Sequence, residues 1–225
     1  MDTGLKGFLR NITLASAWVS SIKSVAADAF VLSFERTHPF HPGQVVAVTT
    51  DRNIPPRLYS VCSGADEGEI SILFNIKPDG LLTPKLARLL PGDQLFVSAP
   101  FGAFLGDNKP AWWIAAGTGI APYRAMMRSG LGAQNWLIHG SRRLANFYFD
   151  DEMVSFFGDR YVRCCSQEKA DGVVHGRLTA WLAGQTRFPP VQYYLCGSAE
   201  MVVEVRDILI RGGVNLNSIM SEIYF

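Results

Sequence analysis

The chain changes rhythm near Asp107, and that change limits its fold more than any single motif does. Before it, short runs of alternating or β-branched apolar residues recur at 29–36, 44–50, 58–62, 69–76 and 94–98. The turn pairs His-Pro, Pro-Gly and Asp-Gly and the triplet Pro-Gly-Asp separate them. A further strand is expected over the apolar stretch 12–19. One helical pattern interrupts, 83–90, with Leu86, Leu89 and Leu90 on one face and Thr83 placed to cap its start. Many short strands around one helix predict an all-β antiparallel barrel for residues 1–105. After Asp107, strand patterns at 111–116, 135–139, 161–165, 192–196 and 218–224 alternate with helical ones at 122–128, 149–157, 178–183 and 199–211. Such alternation predicts, for residues 106–225, an α/β domain with a parallel sheet, which binds ligands beyond the carboxyl ends of its strands.

Composition removes several function classes. Lys and Arg number 21 against 20 Asp and Glu, a formal charge of +1, so neither nucleic acid nor a membrane surface is an expected partner. Cys62, Cys164, Cys165 and Cys196 form no C-x-x-C and have no His at ligand spacing, so no metal site is expected. Four cysteines in a chain this long, two of them adjacent, read as reduced thiols. The longest uncharged apolar run, 111–123, is too short to span a membrane and is broken by Gly117, Gly119 and Pro122. Lys6 and Arg10 ahead of 12–19 faintly echo a secretion signal. That apolar stretch is short and polar-interrupted, so the expected location is the cytoplasm. Nothing in the sequence sets an oligomeric state.

Five local patterns can carry chemistry. Gly117-Thr118-Gly119-Ile120-Ala121-Pro122 follows an apolar strand and precedes a helix, where backbone amides can meet a phosphate. Taken alone, the hexapeptide reads equally well as a plain strand-to-helix connection, since the usual fingerprint has a third glycine. In Arg57-Leu58-Tyr59-Ser60, Arg57 can clamp a phosphate, Tyr59 on the same face can lie against a flat ring, and Ser60 offers a hydroxyl. An exposed strand arginine beside a half-buried tyrosine is the plainer reading of that tetrapeptide. Gly80-Leu81-Leu82-Thr83 opens the lone helix, and Cys196-Gly197 ends a late strand. Glu222-Ile223-Tyr224-Phe225 closes the chain on two aromatic residues, which suggests docking onto something flat or apolar.

In their order, these patterns, together with Gly92-Asp93, Pro100-Phe101-Gly102 and His139-Gly140-Ser141-Arg142, resemble the ferredoxin–NADP reductase family, and the compact bacterial ferredoxin/flavodoxin reductases in particular. The resemblance runs from Pro42 to Phe225. It implies FAD on the barrel and NADP(H) as substrate on the α/β domain. It also implies ferredoxin or flavodoxin as the redox partner. Carried over, Arg57 and Leu58 hold the FAD pyrophosphate edge, Tyr59 packs on the isoalloxazine and Ser60 bonds its N5 edge. Leu81, Leu82 and Thr83 line the FAD phosphates. Gly117, Thr118 and Gly119 cradle the dinucleotide pyrophosphate. Arg142 and Arg177 match basic positions that serve the 2′-phosphate, Ser166 opens the loop that lies toward it, and Arg143 and Lys169 are nearby. Cys196 and Gly197 sit beside the nicotinamide, and Glu222, Tyr224 and Phe225 complete the site. Ser60, Cys196, Glu222 and Tyr224 are the residues this carry-over places at the reacting atoms.

Two departures stand out: Ala99 where the family commonly has glycine, and Gln167 where users of NADPH often carry arginine. Gln167 leaves NADPH selectivity to Arg142 and Arg177. Two other enzymes share this outline, an NAD(P)H:flavin reductase and the reductase component of a multicomponent oxygenase. A flavin-free binding module with the same fold is a further alternative, opposed by the intact Arg57–Ser60 and Gly117–Pro122 patterns. His139 ends a strand near the dinucleotide edge, where it can contact ligand, although a satisfied strand-end histidine is the plainer reading.

Overall fold

The computed structural model describes residues 12–224. Lys6, Arg10 and Phe225, weighed above, lie outside them. The chain divides at Leu105/Gly106 into two compact units.

In the first unit, β1 (Ala15–Ala26), β2 (Ala29–Glu35), β3 (Val45–Thr49), β4 (Arg57–Ser60), β5 (Glu69–Asn75) and β6 (Gln94–Val97) form one sheet ordered β4-β3-β6-β1-β2-β5, every pair antiparallel. The two end strands meet beyond β4. Val61 bridges Ile72, and Cys62 N–H donates to Ser71 O at 2.8 Å, which closes the sheet into a barrel. Closure removes the exposed edges that a short-stranded sheet would otherwise present. β1 begins three residues later than the 12–19 pattern and runs seven further. Its first four residues pair with β6, and its remainder pairs with β2 after register shifts at Val19/Ser21 and Ser24/Ala26. A bulge resets the in–out alternation, which is why the pattern alone ends the strand too early. Leu32, Val46, Val48, Ile72, Leu86 and Leu95 fill the interior without exposure.

The lone helix, α1 (Thr83–Leu86), is a single turn, half the predicted length. Pro91 disfavours helical backbone at Leu90, whose N–H instead donates to Asp93 Oδ2 at 2.7 Å. Leu90 is therefore exposed rather than on a buried face. Thr83 does not cap its helix either. Its Oγ1 accepts from Lys77 N–H at 2.8 Å, tying the turn before the helix to its start.

The second unit is a six-stranded parallel sheet of β7 (Ala111–Ala116), β8 (Trp136–Ser141), β9 (Tyr161–Cys165), β10 (Val174–His175), β11 (Gln192–Ser198) and β12 (Ile219–Tyr224), ordered β10-β9-β8-β7-β11-β12. The helices α2 (Ala121–Arg128), α3 (Asp150–Phe157), α4 (Leu178–Ala183) and α5 (Ala199–Arg211) connect them. Side chains alternate across β7. Ile114 packs with Ile138, Leu195, Val205 and Leu209 on one face, while Trp113 stacks on Tyr123 of α2 at 5.2 Å on the other. After β7 the chain winds outward through β8, β9 and β10, then returns to place β11 on the opposite side of β7. The order reverses between β7 and β11, and an open sheet of this kind binds its ligand where it does so.

Candidate cofactor sites

At the barrel, β4 presents Arg57, Leu58, Tyr59 and Ser60 opposite Val48, Ala47, Val46 and Val45 of β3. Ser60 is buried, Leu58 and Tyr59 are half-buried, and Arg57 is exposed. Among the described residues no carboxylate pairs with Arg57. The Tyr59 ring meets Phe74 edge-on at 6.2 Å, and burial pushes its phenol up against the opposing pull of Arg57, so it stays neutral. Leu82 is buried at 4% exposure while its neighbour Leu81 stands out at 72%. Within the described residues the backbone amides of Leu81, Leu82 and Thr83 form no hydrogen bond. A free guanidinium, a flat half-buried ring and three unspent amides suit a flavin with its pyrophosphate. With α1 only one turn long, those amides are what it offers a phosphate, and the dipole of a longer helix is missing.

The second unit builds its seat at the reversal point. Gly117 leaves β7 with φ of +54°, and Gly117–Ile120 forms a 3-10 turn ahead of α2. A Cβ on Gly119 would lie 2.2 Å from the Cys196 carbonyl oxygen, so only glycine lets this turn rest on β11. That contact is the fit a close backbone seat for a pyrophosphate requires. Beside it, β11 and β12 pair in parallel, with Cys196 opposite Glu222 and Ser198 opposite Tyr224. The fully buried Cys196 thiol donates to Glu222 Oε2 at 4.0 Å. Burial and the Glu222 charge push this thiol well up, while a hydrogen bond from Tyr224 opposes them. Cys196 therefore holds its proton and brings no charge to the site.

At the outer strands, Ser166 N–H donates to Ser141 O and Gln167 N–H to Arg142 O, both at 3.0 Å. These bonds bind the loop after β9 to the loop after β8. Glu168 Oε2 accepts from Leu144 N–H at 2.7 Å and fixes the latter loop from the far side. Arg142, Arg143, Gln167 and Lys169 are exposed there. Arg177, at the start of α4, lies 3.5 Å from Glu200. The structure thus gathers Arg142, Arg143 and Ser166 on adjoining loops, and Cys196, Gly197, Glu222 and Tyr224 on adjoining strands beside the Gly117 turn.

Sequence reasoning gave no role to Glu168, and for His139 it favoured a satisfied strand-end residue over a ligand contact. His139 is fully buried, and its Nε2 has no hydrogen-bond partner of good geometry. The cysteines are all free and buried. Among the described residues no three metal-ligating side chains gather, and no helix is long and apolar enough to cross a membrane.

Comparison with known proteins agrees with both halves. The oxidoreductase FAD-binding domain matches residues 16–105, and the oxidoreductase NAD-binding domain matches residues 113–207. The chain belongs to the ferredoxin–NADP reductase family. It is a flavin-dependent NAD(P)H oxidoreductase. It is 29% identical over 185 residues to the flavodoxin/ferredoxin–NADP reductase of Escherichia coli, covering 75% of this chain and 72% of that protein. The toluate 1,2-dioxygenase electron transfer component of Pseudomonas putida is 27% identical over 214 residues, 88% of this chain and 64% of that one. In fold, the chain matches a ferredoxin NADP+ reductase from Neisseria gonorrhoeae, solved with bound FAD and NADP, at a TM-score of 0.85 and 18% identity, covering 94% of this chain and 99% of that one.

Proposed function

We propose that the protein is a FAD-dependent ferredoxin (or flavodoxin)–NADP reductase, exchanging a hydride with NADP(H) and single electrons with a small carrier protein in the cytoplasm. The observation that carries this reading is the glycine seat at the sheet reversal, with the Cys196 thiol and Glu222 carboxylate beside it. FAD supplies what the side chains lack, since it takes two electrons as hydride and releases them one at a time. The chain's part is positioning. Arg57 anchors the FAD pyrophosphate, with the amides of Leu81, Leu82 and Thr83 as further donors. Tyr59 packs on the isoalloxazine and Ser60 bonds its N5 edge. Gly117, Thr118 and Gly119 hold the NADP(H) pyrophosphate, and Arg142, Arg143, Ser166 and Arg177 face its 2′-phosphate. Cys196 and Gly197 seat the nicotinamide. Glu222 and Tyr224 close the site and keep water out.

A second reading, an NAD(P)H:flavin reductase or the reductase component of an oxygenase, is favoured by Gln167, which brings no charge to a 2′-phosphate. One measurement tests what the two readings share, and a second separates them. The purified protein should be yellow and release FAD, not FMN. Stopped-flow reduction should be faster with NADPH than NADH and be followed by electron transfer to ferredoxin or flavodoxin. A colourless protein that cannot be reconstituted with FAD overturns both readings, and reduction without transfer to either carrier leaves the second.

A further inference from the structure

Arg177 and Glu200 flank the end of β7, where the dinucleotide turn begins. Leu178, the residue after Arg177, lies so close over β8 that a Cβ on Gly140 would stand 2.2 Å from its Cδ2. Met201, the residue after Glu200, lies as close to β11: a Cβ on Gly197 would stand 2.7 Å from its Cε and 3.2 Å from Ala116. Gly140 pairs with Ala116, the last residue of β7 before Gly117. Leu178 and Met201 belong to one core, so the starts of α4 and α5 stand on the same sheet face, on either side of that strand end. Their charged groups meet, with Arg177 Nη1 3.5 Å from Glu200 Oε1. Among the described residues no other carboxylate pairs with Arg177. The Arg177 carbonyl accepts from Ala180 N–H at 3.1 Å and Trp181 N–H at 3.2 Å, which fixes its backbone and leaves the exposed side chain to choose a partner. The helix dipole accounts for an acid in the first turn of α5, but not for its reach to Arg177, and an exposed ion pair adds little to stability. What the pair changes is the guanidinium's availability. A 2′-phosphate carries about two negative charges and competes for it through paired hydrogen bonds, whereas a 2′-hydroxyl does not.

We propose that Glu200 is a specificity-determining residue for the dinucleotide: its carboxylate engages the Arg177 guanidinium, so that a 2′-phosphate has to displace it while a 2′-hydroxyl leaves the pair closed. The proposal rests on Arg177 facing the 2′-phosphate, as in the function proposed above. Glu200 and the uncharged Gln167 then act in the same direction from opposite sides, and the chain discriminates against NADH less than its count of nearby arginines implies.

The test uses the FAD-loaded protein at low ionic strength, where exposed charges act most strongly, and reads NADP+ and NAD+ binding side by side. Glu200→Gln should tighten NADP+ about two- to fivefold, the range for an exposed charge, and leave NAD+ unchanged. Arg177→Ala should weaken NADP+ and leave NAD+ unchanged. In the Arg177→Ala background, Glu200→Gln should bring no further gain. Equal tightening of both dinucleotides by Glu200→Gln overturns the proposal, because a general relief of negative charge is not a choice between them. An equal gain for NADP+ with and without Arg177 overturns it too, since the carboxylate would then act on the phosphate directly. If Arg177→Ala weakens NADP+ while Glu200→Gln changes nothing, Arg177 stays at the phosphate and Glu200 does not govern it. If Arg177→Ala changes neither dinucleotide, Arg177 lies away from the 2′-phosphate, and the reading beneath the proposal falls with it.

Discussion

His139 couples the chemistry of one side chain to the stability of its whole unit. Burial lowers its folded value to about 3 from an ordinary 6.5, so between those limits the unfolded chain binds a proton that the folded one refuses. Stability is therefore complete above 6.5 and falls as pH drops, by at most about 1.4 kcal/mol per pH unit. Glu152 adds the same sign only lower down. Burial raises its carboxyl, the Arg124 and Arg128 guanidiniums more than reverse that, and the net lowering acts below its ordinary 4.5. Of the two groups, only His139 acts between 6.5 and 4.5. Thermal unfolding across it should show a falling Tm that His139→Gln flattens, and a slope unchanged by the substitution would assign the titration elsewhere. Arg57 sets a different single-residue property. Exposed and without a carboxylate partner among the described residues, it loses little when replaced in the absence of ligand. Arg57→Ala should cost about 1.5–3 kcal/mol of FAD affinity, the range for hydrogen bonds to charged groups. FAD titration of the stripped protein measures it, and an unchanged affinity removes Arg57 from the pyrophosphate.

The loops after β8 and β9 show how far a pattern of elements can be read ahead of a structure. The parallel strands and helices were legible because their apolar periods differ, and 111–116, 161–165, 178–183 and 199–211 match the observed elements to the residue. β10 was not legible, because two residues carry no period, and the bulged β1 was cut short for the reason its bulges give. The grouping of Arg142, Arg143 and Ser166 followed from family resemblance alone. What joins their loops is the pair of backbone bonds from Ser166 and Gln167, together with the Glu168 carboxylate on Leu144, and no side-chain pattern announces a backbone bond. Gln167 stands in that joint, exposed, with its N–H already spent on Arg142 O. A longer side chain there can reach outward without disturbing the joint. Gln167→Arg should tighten NADPH about tenfold, roughly 1.4 kcal/mol for one charged partner, and leave NADH unchanged. Equal tightening of both, or of neither, places the 2′-phosphate away from this loop. Arg177 is a weaker lever, since Glu200 at 3.5 Å already competes for it.

At the scale of the molecule, the change of rhythm near Asp107 foretold two architectures, and the chain divides at Leu105/Gly106 into units with separate cores. Leu32, Ile72 and Leu95 belong to one core, and Ile114, Leu195 and Val205 to the other. Separate cores permit separate unfolding, and a ligand stabilises only the unit whose folded state binds it. If FAD belongs to residues 1–105 and NADP(H) to residues 106–225, each should slow amide exchange in its own unit. At a hundred times its Kd, NADP+ should add about 2.7 kcal/mol to the opening free energy of the strands around Gly117. The barrel strands β2 and β5 should exchange as before. FAD added to the stripped protein should do the reverse, protecting β4 and the residues ahead of α1 while β8 and β9 keep their rates. Hydrogen exchange followed by mass spectrometry resolves the two units in one experiment. Protection spread evenly over both by either ligand would mean that they open as one cooperative body. Protection by NADP+ confined to the barrel would reverse the assignment of the two cofactors.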